Sequence, residues 1–241
     1  NDTIQDEGWI EPLVETLQSD SDVAAVQPKI LNYFERNLFD YAGGSGGAMD
    51  LLCFPFARGR LFLTQEKDLG QYDDETDIFW ASGTAFMVRR SDFEAAGRFD
   101  ESFFAHQEEI DLQWRFHLMR YNSRINPKSV VYHKDAVTLP TQSLKKHYLN
   151  HRNSMLMLLS NYSLPLMLYL FPIRLAFEIA AVERIADLWS DFQGSLIDQV
   201  LITGKVDKIY LYRQILLPDN PLELSLIHIS EPTRPRLSSY A

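Results

Sequence analysis

Residues 79–120 read FWASGTAFMVRRSDFEAAGRFDESFFAHQEEIDLQWRFHLMR, and this stretch decides the fold. It opens with a turn of small residues, continues as an apolar strand and a short helix, and reaches an aromatic loop. The loop leads into a second helix whose first turn carries Glu108, Glu109 and Asp111. This acidic cluster is the first candidate for chemistry, because a positioned carboxylate can accept a proton.

The spacing of the acidic cluster predicts which carboxylates are paired. Asp111 and Arg115 are four residues apart, so they can form an ion pair on the side of the helix that also carries Glu108. Glu109 points about 100° away, which leaves its carboxylate free. An apolar stripe at i, i+4 and i+8 predicts the buried face and directs the carboxylates outward. The stripe consists of Ile110, Trp114 and Leu118.

The position of the acids at a helix start predicts their charge. The first turn of a helix favours negative charge, so we expect Glu108 and Glu109 to stay ionised. An ionised carboxylate could act as a general base. Acids in a first helical turn are also common as plain capping charges, and the spacing leaves both interpretations open.

Several motifs in this stretch occur in the order found in a known family. They are the turn ASGTA (81–85), the pair Arg89 and Arg90, GRFDE (97–101), FFAHQEEIDL (103–112) and WR (114–115). Together they resemble the acceptor-side half of a family 2 glycosyltransferase, rhamnosyltransferase-like, over roughly residues 1–160. The resemblance implies an α/β fold, a partial GT-A domain of the Rossmann-like nucleotide-diphospho-sugar transferase type. It also implies an inverting reaction.

The resemblance assigns roles to individual residues. The second acid of the pair, Glu109, would be the base that deprotonates the acceptor, although the family usually has Asp there. Glu108 remains an alternative, and Asp111 completes the catalytic cluster. Four residues would line the acceptor site, with packing as an equal alternative for the tryptophan. They are Trp80, Ser82, Gly83 and Arg115.

The resemblance also implies a metal site formed by one residue at the start of the chain and one at position 133. The chain starts Asn-Asp-Thr, and in the resembled family this motif closes the strand that holds a divalent cation, which would make Asp2 a ligand. His133, which follows Val-Tyr, would complete the site for Mg²⁺ or Mn²⁺. Without the resemblance, Asp2 is a terminal residue and His133 a hydrogen-bonded residue at a strand end.

Composition and pattern bound the rest of the chain. A net charge of −10 argues against a nucleic-acid partner, and the single cysteine, Cys53, excludes an internal disulfide. Periodicity predicts a helix over 9–19, a strand over 23–30 with Pro28 at an edge or end, and a strand over 129–133. The glycine-rich run at 41–47 is predicted to be a flexible loop that covers an active site.

The C-terminal part changes character. Residues 144–223 are predicted to form a helical region, in which a basic segment precedes an apolar stretch at 164–182. Pro172, Arg174 and Glu178 interrupt that stretch, which favours attachment to an anionic membrane surface over a full span. Packing against the domain formed by residues 1–143 is the alternative.

Both ends of the chain are predicted to be artificial. Residues 224–234 read LSLIHISEPTR, which looks like a translated sequencing adapter, so we exclude 224–241 from fold reasoning. We expect the nucleotide-binding half to be missing upstream of Asn1 and the fragment to be inactive alone. These expectations follow from the resemblance.

The predicted activity is sugar transfer from a nucleotide-sugar donor to a glycan or lipid-linked acceptor in cell-surface polysaccharide synthesis. The predicted location is cytoplasmic, peripheral at the inner face of the cell membrane. A noncatalytic carbohydrate-binding or scaffold protein of the same fold is the main alternative. A metal-dependent phosphotransferase would be expected to carry a Lys- or Arg-bearing phosphate loop, which this stretch lacks.

Overall fold

The computed structural model describes residues 2–61, 64–134 and 144–194, so the adapter-like segment lies outside the described residues. The elements in chain order are β1 (Thr3–Gln5), α1 (Ile10–Ser19), β2 (Val23–Asn32), β3 (Gly47–Met49), β4 (Pro55–Ala57), β5 (Arg60–Leu61), β6 (Thr64–Gln65), β7 (Thr76–Ile78), β8 (Met87–Val88), α2 (Arg90–Ala95), a 3₁₀ turn (Glu101–Phe103), α3 (Glu108–Leu118), β9 (Asn122–His133), α4 (Leu144–Asn161) and α5 (Leu164–Gly194). The predicted α/β class followed by C-terminal helices is confirmed.

The main sheet has five strands in the order β1-β9-β2-β8, with β7 also paired to β9. β2 and β9 run parallel at its centre, and the other pairings are antiparallel. The predicted position of Pro28 at an edge or strand end is wrong, because β2 continues to Asn32. Pro28 lies at a register shift between β2 and β9, where a missing N–H is tolerated.

β9 is much longer than the predicted strand over 129–133. It begins at Asn122, and its first half carries polar residues that hid it from a hydrophobicity pattern. These residues have partners in the fold. Asn126 donates to Thr16 Oγ1 at 2.9 Å, and Arg124 pairs with Asp77 of β7 at 2.7 Å. Their pairing explains how a polar segment occupies the sheet.

α1 confirms the predicted amphipathic helix, since Leu13 and Leu17 are buried against β2. In α3, Ile110 and Trp114 are buried as predicted, but Leu118 is 59% exposed, because the last turn extends beyond the core. The opposite face of α3 packs against β2 through two further residues, Leu112 and Phe116.

The glycine-rich run at 41–47 is not the flexible loop that was predicted. Residues 43–47 of the run are buried, and the neighbouring segments form the β3–β4 and β5–β6 hairpins. A Cβ at Gly47 would lie 2.0 Å from Cε2 of Trp80, and one at Gly43 would lie 2.6 Å from its Cζ3. The glycines therefore allow the backbone to pack directly on an indole ring.

The chain divides into two compact units, 1–171 and 172–241. The first unit continues past the predicted boundary at residue 143 and includes α4. Met157 and Leu158 of α4 are buried in one core cluster with Phe103, Ile110 and Trp114. α3 therefore lies between the sheet on one face and α4 on the other.

Candidate active site

The loop before α3 has an unusual backbone. Phe104, His106 and Gln107 have φ values of 61°, 68° and 67°, in the left-handed region that favours glycine. Such residues cost on the order of 1–3 kcal/mol each and persist where the surrounding structure holds them. The loop therefore delivers Glu108 and Glu109 to the first turn of α3 in a conformation that other parts of the unit must maintain.

The carboxyl group of Glu109 lies against the turn that contains Gly83. A Cβ built on Gly83 would lie 3.4 Å from Cδ and 3.6 Å from Oε2 of Glu109. Two predicted site residues that are distant in sequence are thus neighbours. Gly83 itself is exposed, whereas Glu109 is half-buried.

The charge of Glu109 differs from the prediction. Burial, and to a lesser extent the nearby carboxylate of Glu108, raise the pKa of Glu109 to about 8. Backbone N–H groups, including that of Gly83, lower this pKa but do not outweigh burial. The expectation that Glu109 stays ionised is wrong, because a helix N-terminus stabilises an anion by only about 0.3–1 kcal/mol. The carboxyl group of Glu109 holds a proton at neutral pH.

Asp111 and Arg115 form the predicted ion pair, with Nε and Nη2 of Arg115 at 3.0 and 2.9 Å from Oδ2 of Asp111. The expectation that Asp111 faces outward is wrong, because its side chain is completely buried. Asn161 of α4 donates to its other oxygen at 2.9 Å. Burial raises the pKa of Asp111, against the opposing effect of Arg115. Asp111 and Arg115 therefore link α3 to α4 and are not available at the surface.

Trp80 and Ser82 lie in the turn beside Glu109, and both are buried. Nε1 of Trp80 donates to the carbonyl of Ala48 at 2.9 Å, and its ring covers the glycine run. Of the two roles left open for Trp80, the structure shows packing. Gly83 is the exposed member of the turn.

Two buried glutamines that the sequence analysis did not select hold this turn. Gln113 of α3 accepts from the backbone N–H of Ala81 at 2.6 Å and donates to its carbonyl at 2.8 Å. Gln27 of β2 accepts from the N–H of Ser82 at 2.6 Å and donates to the carbonyl of Gly43 at 2.8 Å. A glutamine inside the apolar run VAAVQPKI was the only available signal.

Asp2 and His133 lie close together, as predicted, because β1 pairs with the end of β9. Nε2 of His133 is 3.6 Å from Oδ2 of Asp2. Nδ1 of His133 is 2.9 Å from Oδ1 of Asp40, a fully buried residue that the sequence analysis missed. Since a carboxylate only accepts hydrogen bonds, Asp40 favours the tautomer with hydrogen on Nδ1.

The donor atoms of Asp2 and His133 fit a divalent cation. Neighbouring ligands of an octahedral ion at about 2.1 Å lie about 3.0 Å apart, so the 3.6 Å between Nε2 of His133 and Oδ2 of Asp2 would shorten slightly on binding such an ion. Oxygen and imidazole nitrogen suit Mn²⁺ and Mg²⁺. Within the described ranges, no group of three or more His, Cys, Asp or Glu residues could hold a metal ion. The pair would therefore need further ligands from water or phosphate.

A continuous set of contacts joins the two parts of the candidate site. Asp40, which binds His133, accepts from the N–H of Gly44 through its backbone carbonyl at 3.2 Å. The neighbouring Gly43 is bonded to Gln27, which also holds the turn beside Glu109. The buried side-chain amide of Gln27 therefore connects the segment next to Asp40 with the turn that faces Glu109.

Comparisons with known proteins give a partial match. No family model matches the chain. Over 120 residues the chain is 28% identical to the N-acetylglucosaminyl-diphospho-decaprenol L-rhamnosyltransferases of two Mycobacterium tuberculosis strains, CDC 1551 / Oshkosh and ATCC 25618 / H37Rv. The match covers 48% of this chain and 38% of each relative.

Among solved structures, a crystal structure of GalNAc-T7 with UDP, GalNAc and Mn²⁺ is similar with a TM-score of 0.49 and 13% identity. It matches 88% of this chain and 36% of that chain. Over about half of its length the chain is therefore a relative of glycosyltransferases, which confirms the resemblance that its motifs predicted.

Proposed function

We propose that the chain is the acceptor-side part of an inverting glycosyltransferase of the GT-A type. It transfers a sugar from a nucleotide-sugar donor to a glycan or lipid-linked acceptor in cell-surface polysaccharide synthesis. The observation that carries this proposal is the carboxyl group of Glu109, which lies against the exposed Gly83. Its pKa of about 8 is close to the operating pH of a general base.

Glu109 acts as the base in this mechanism. Its ionised form takes the proton of an acceptor hydroxyl while the hydroxyl oxygen bonds to the anomeric carbon from the face opposite the leaving group. The bond between that carbon and the diphosphate oxygen breaks in the same step, so no covalent enzyme intermediate forms. The half-buried position of Glu109 strengthens its interaction with the hydroxyl by limiting competition from water.

Asp2 and His133 would hold Mg²⁺ or Mn²⁺, which neutralises charge on a departing nucleoside diphosphate. Asp40 keeps the imidazole of His133 oriented through Nδ1, so that Nε2 faces Asp2. Such outer partners fix the tautomer and ring orientation of a histidine ligand.

The names of the relatives support the substrate classes. A decaprenol-linked N-acetylglucosaminyl diphosphate acceptor and an L-rhamnosyl group are named for the mycobacterial proteins. We extend the classes, a lipid-linked acceptor and a deoxyhexosyl donor, to the protein that contains this chain. The chain spans 38% of the length of those relatives, so the proposal concerns the acceptor-side part of such a protein.

Helix α5 supports attachment at the inner face of the cell membrane. Its segment Leu164–Ala181 is long and apolar enough to cross a membrane by length and composition, with a mean hydropathy of 1.6 and 11% of its residues buried. Arg174 is almost completely buried and forms an ion pair with Glu178, which is largely buried, so the two charges are paired and lie mostly off the exposed apolar surface of the segment. A helix of this kind can lie in the membrane interface. A lipid-linked acceptor would be presented there.

The test is a transfer assay on the protein that contains this chain. It is incubated with a nucleotide-activated deoxyhexose, Mn²⁺ and a lipid-linked N-acetylglucosaminyl diphosphate; the product is detected by mass spectrometry and its anomeric configuration is assigned by NMR. We expect a disaccharide whose anomeric configuration is inverted relative to the donor. A retained configuration would exclude the inverting mechanism, and acceptor binding without transfer would favour a carbohydrate-binding protein.

A further inference from the structure

The loop that precedes the acidic cluster is held by side chains of α4. Asn153 is completely buried, and its Nδ2 lies 3.1, 2.8 and 2.6 Å from the carbonyl oxygens of Phe103, Ala105 and His106. One amide group therefore serves three acceptors within four residues of the loop. These carbonyls need such donors, because buried carbonyl groups without partners are costly.

The orientation of Asn153 is fixed by its neighbour on the same helix. Nη1 of Arg152 donates to Oδ1 of Asn153 at 2.8 Å and to the carbonyl of Ser102 at 2.9 Å. With Oδ1 occupied by a donor, the NH₂ group must point toward the loop. Arg152 and Asn153 together bind four carbonyls of the segment from Ser102 to His106.

The loop needs an external support because its own polar side chains do not provide one. His106 Nε2, Gln107 Oε1 and Glu108 Oε2 are enclosed and have no hydrogen-bond partner among the described residues. Three of the residues between 104 and 107 have positive φ values. Such a conformation relaxes unless contacts from elsewhere stabilise it.

We propose that Asn153 is a positioning residue that holds residues 103–108 in this conformation and so places the carboxyl group of Glu109 against Gly83. Its importance for catalysis rests on the proposed function, whereas its effect on the loop does not. Helix α4 then has a defined task. It sets the geometry of a site whose acids come from α3.

The central variant is Asn153→Asp, which keeps the shape of the side chain but replaces the NH₂ donor by an oxygen. Ser154→Ala is the matched control, because Ser154 is equally buried on α4 but donates to the carbonyl of Cys53, outside the loop. Hydrogen exchange of the backbone amides of residues 104–111 is measured in the chain. Carbon-13 NMR titration of Glu109 is measured alongside.

We expect Asn153→Asp to speed exchange of these amides by about tenfold or more, as for the loss of one or more hydrogen bonds. The pKa of Glu109 should fall toward its ordinary value, because the carboxyl group gains contact with water. Ser154→Ala should change neither quantity. Unchanged exchange and titration in a folded Asn153→Asp variant would overturn the proposal.

A further measurement covers the case in which Asn153→Asp does not fold. In the unsubstituted chain, the amides of Ala105 and Asp111 should exchange much more slowly than in an unstructured peptide. Exchange as fast as in such a peptide would show that the loop is not held, and the proposal would fall.

Activity separates this proposal from the proposed function. In the protein that contains this chain, Asn153→Asp should lower kcat. It should leave KM for the nucleotide-sugar donor nearly unchanged, since in the proposed mechanism residues 103–108 position the base and do not bind the donor. If transfer occurs but kcat of the variant equals that of the parent, the positioning role is wrong and the proposed function stands. If no transfer occurs at all, the exchange and titration results still decide the role of Asn153 in the loop.

Discussion

At the end of β9 the imidazole of His133 lies between the carboxylates of Asp2 and Asp40, whereas at the start of α3 the carboxylate of Glu108 repels the charged form of Glu109. At the end of β9, an imidazole that can donate or accept a hydrogen bond lies between two acids. At the start of α3, two like groups are both half-buried. Similar residue types therefore have different properties in the two regions.

The difference teaches that environment, and not residue type, decides what an acid can do. Asp2 is partly exposed and faces an imidazole, which suits a cation ligand. Glu109 is half-buried and is repelled by the charge of Glu108, so its pKa is raised to about 8. A group that exchanges a proton near neutral pH is suited to acid–base chemistry.

Loss of the base at α3 should have the largest effect. Glu109→Gln in the protein that contains this chain should lower kcat by about 10²–10⁴-fold, because no carboxylate remains to accept the proton of the acceptor hydroxyl. Affinity for the nucleotide-sugar donor should change little. Steady-state kinetics and calorimetry would measure the two quantities. The control is Glu94→Gln on α2, whose carboxylate pairs with Arg90 at the surface; turnover near the parental rate in Glu109→Gln would remove Glu109 from this role.

The β9 region is tested by cation affinity. His133→Ala and Asp40→Asn should each weaken Mn²⁺ binding by about 10–100-fold, because one removes a donor atom and the other its orienting partner. Binding to the chain is followed by the electron paramagnetic resonance signal of free Mn²⁺. The exposed His147 of α4 supplies the control, His147→Ala. Equal affinities in all four proteins would show that no cation binds at this strand end.

The raised pKa of Glu109 also predicts how stability depends on pH. A carboxyl group with a higher pKa in the folded state favours folding when protonated, so its contribution is complete below its ordinary pKa of 4.5 and is lost as pH rises through about 8. Between these two pH values, each unit of rising pH should lower the free energy of unfolding by at most about 1.4 kcal/mol through this group.

Urea unfolding at several pH values would measure this dependence. Glu109→Gln should be less sensitive to pH than the parent chain between pH 5 and 8, whereas Glu94→Gln should follow the parent. Parallel curves for the parent and Glu109→Gln would contradict the raised pKa.

The smallest effect is expected from Glu108→Gln. Removing the neighbouring negative charge should lower the pKa of Glu109, because repulsion between the two carboxylates raises it. The base form would then be present at lower pH, so the acidic limb of the profile of kcat/KM should shift to lower pH. Above pH 9 the rate should stay within about tenfold of the parent. A loss as large as that of Glu109→Gln would transfer the role of base to Glu108.

Part of the site could be predicted because its signals are local. The Asp111–Arg115 pair follows from a spacing of four residues, and it was found. The motifs also indicated that Asp2 would meet His133 and that the turn at Gly83 would accompany Glu109. Asp40 was missed because it meets His133 across 93 residues of chain. Asn153, which reaches His106 across 47 residues, was missed for the same reason.

The sequence by itself determined the α/β class, the helical periods of α1 and α3, and the presence of two acids at one helix start. These features depend on neighbours within a few residues, which a pattern records. Only the tertiary structure decided that Glu109 keeps its proton, that Asp111 is buried and that the glycine run packs on Trp80. Burial and through-space charge set these properties, and both depend on segments that are distant along the chain.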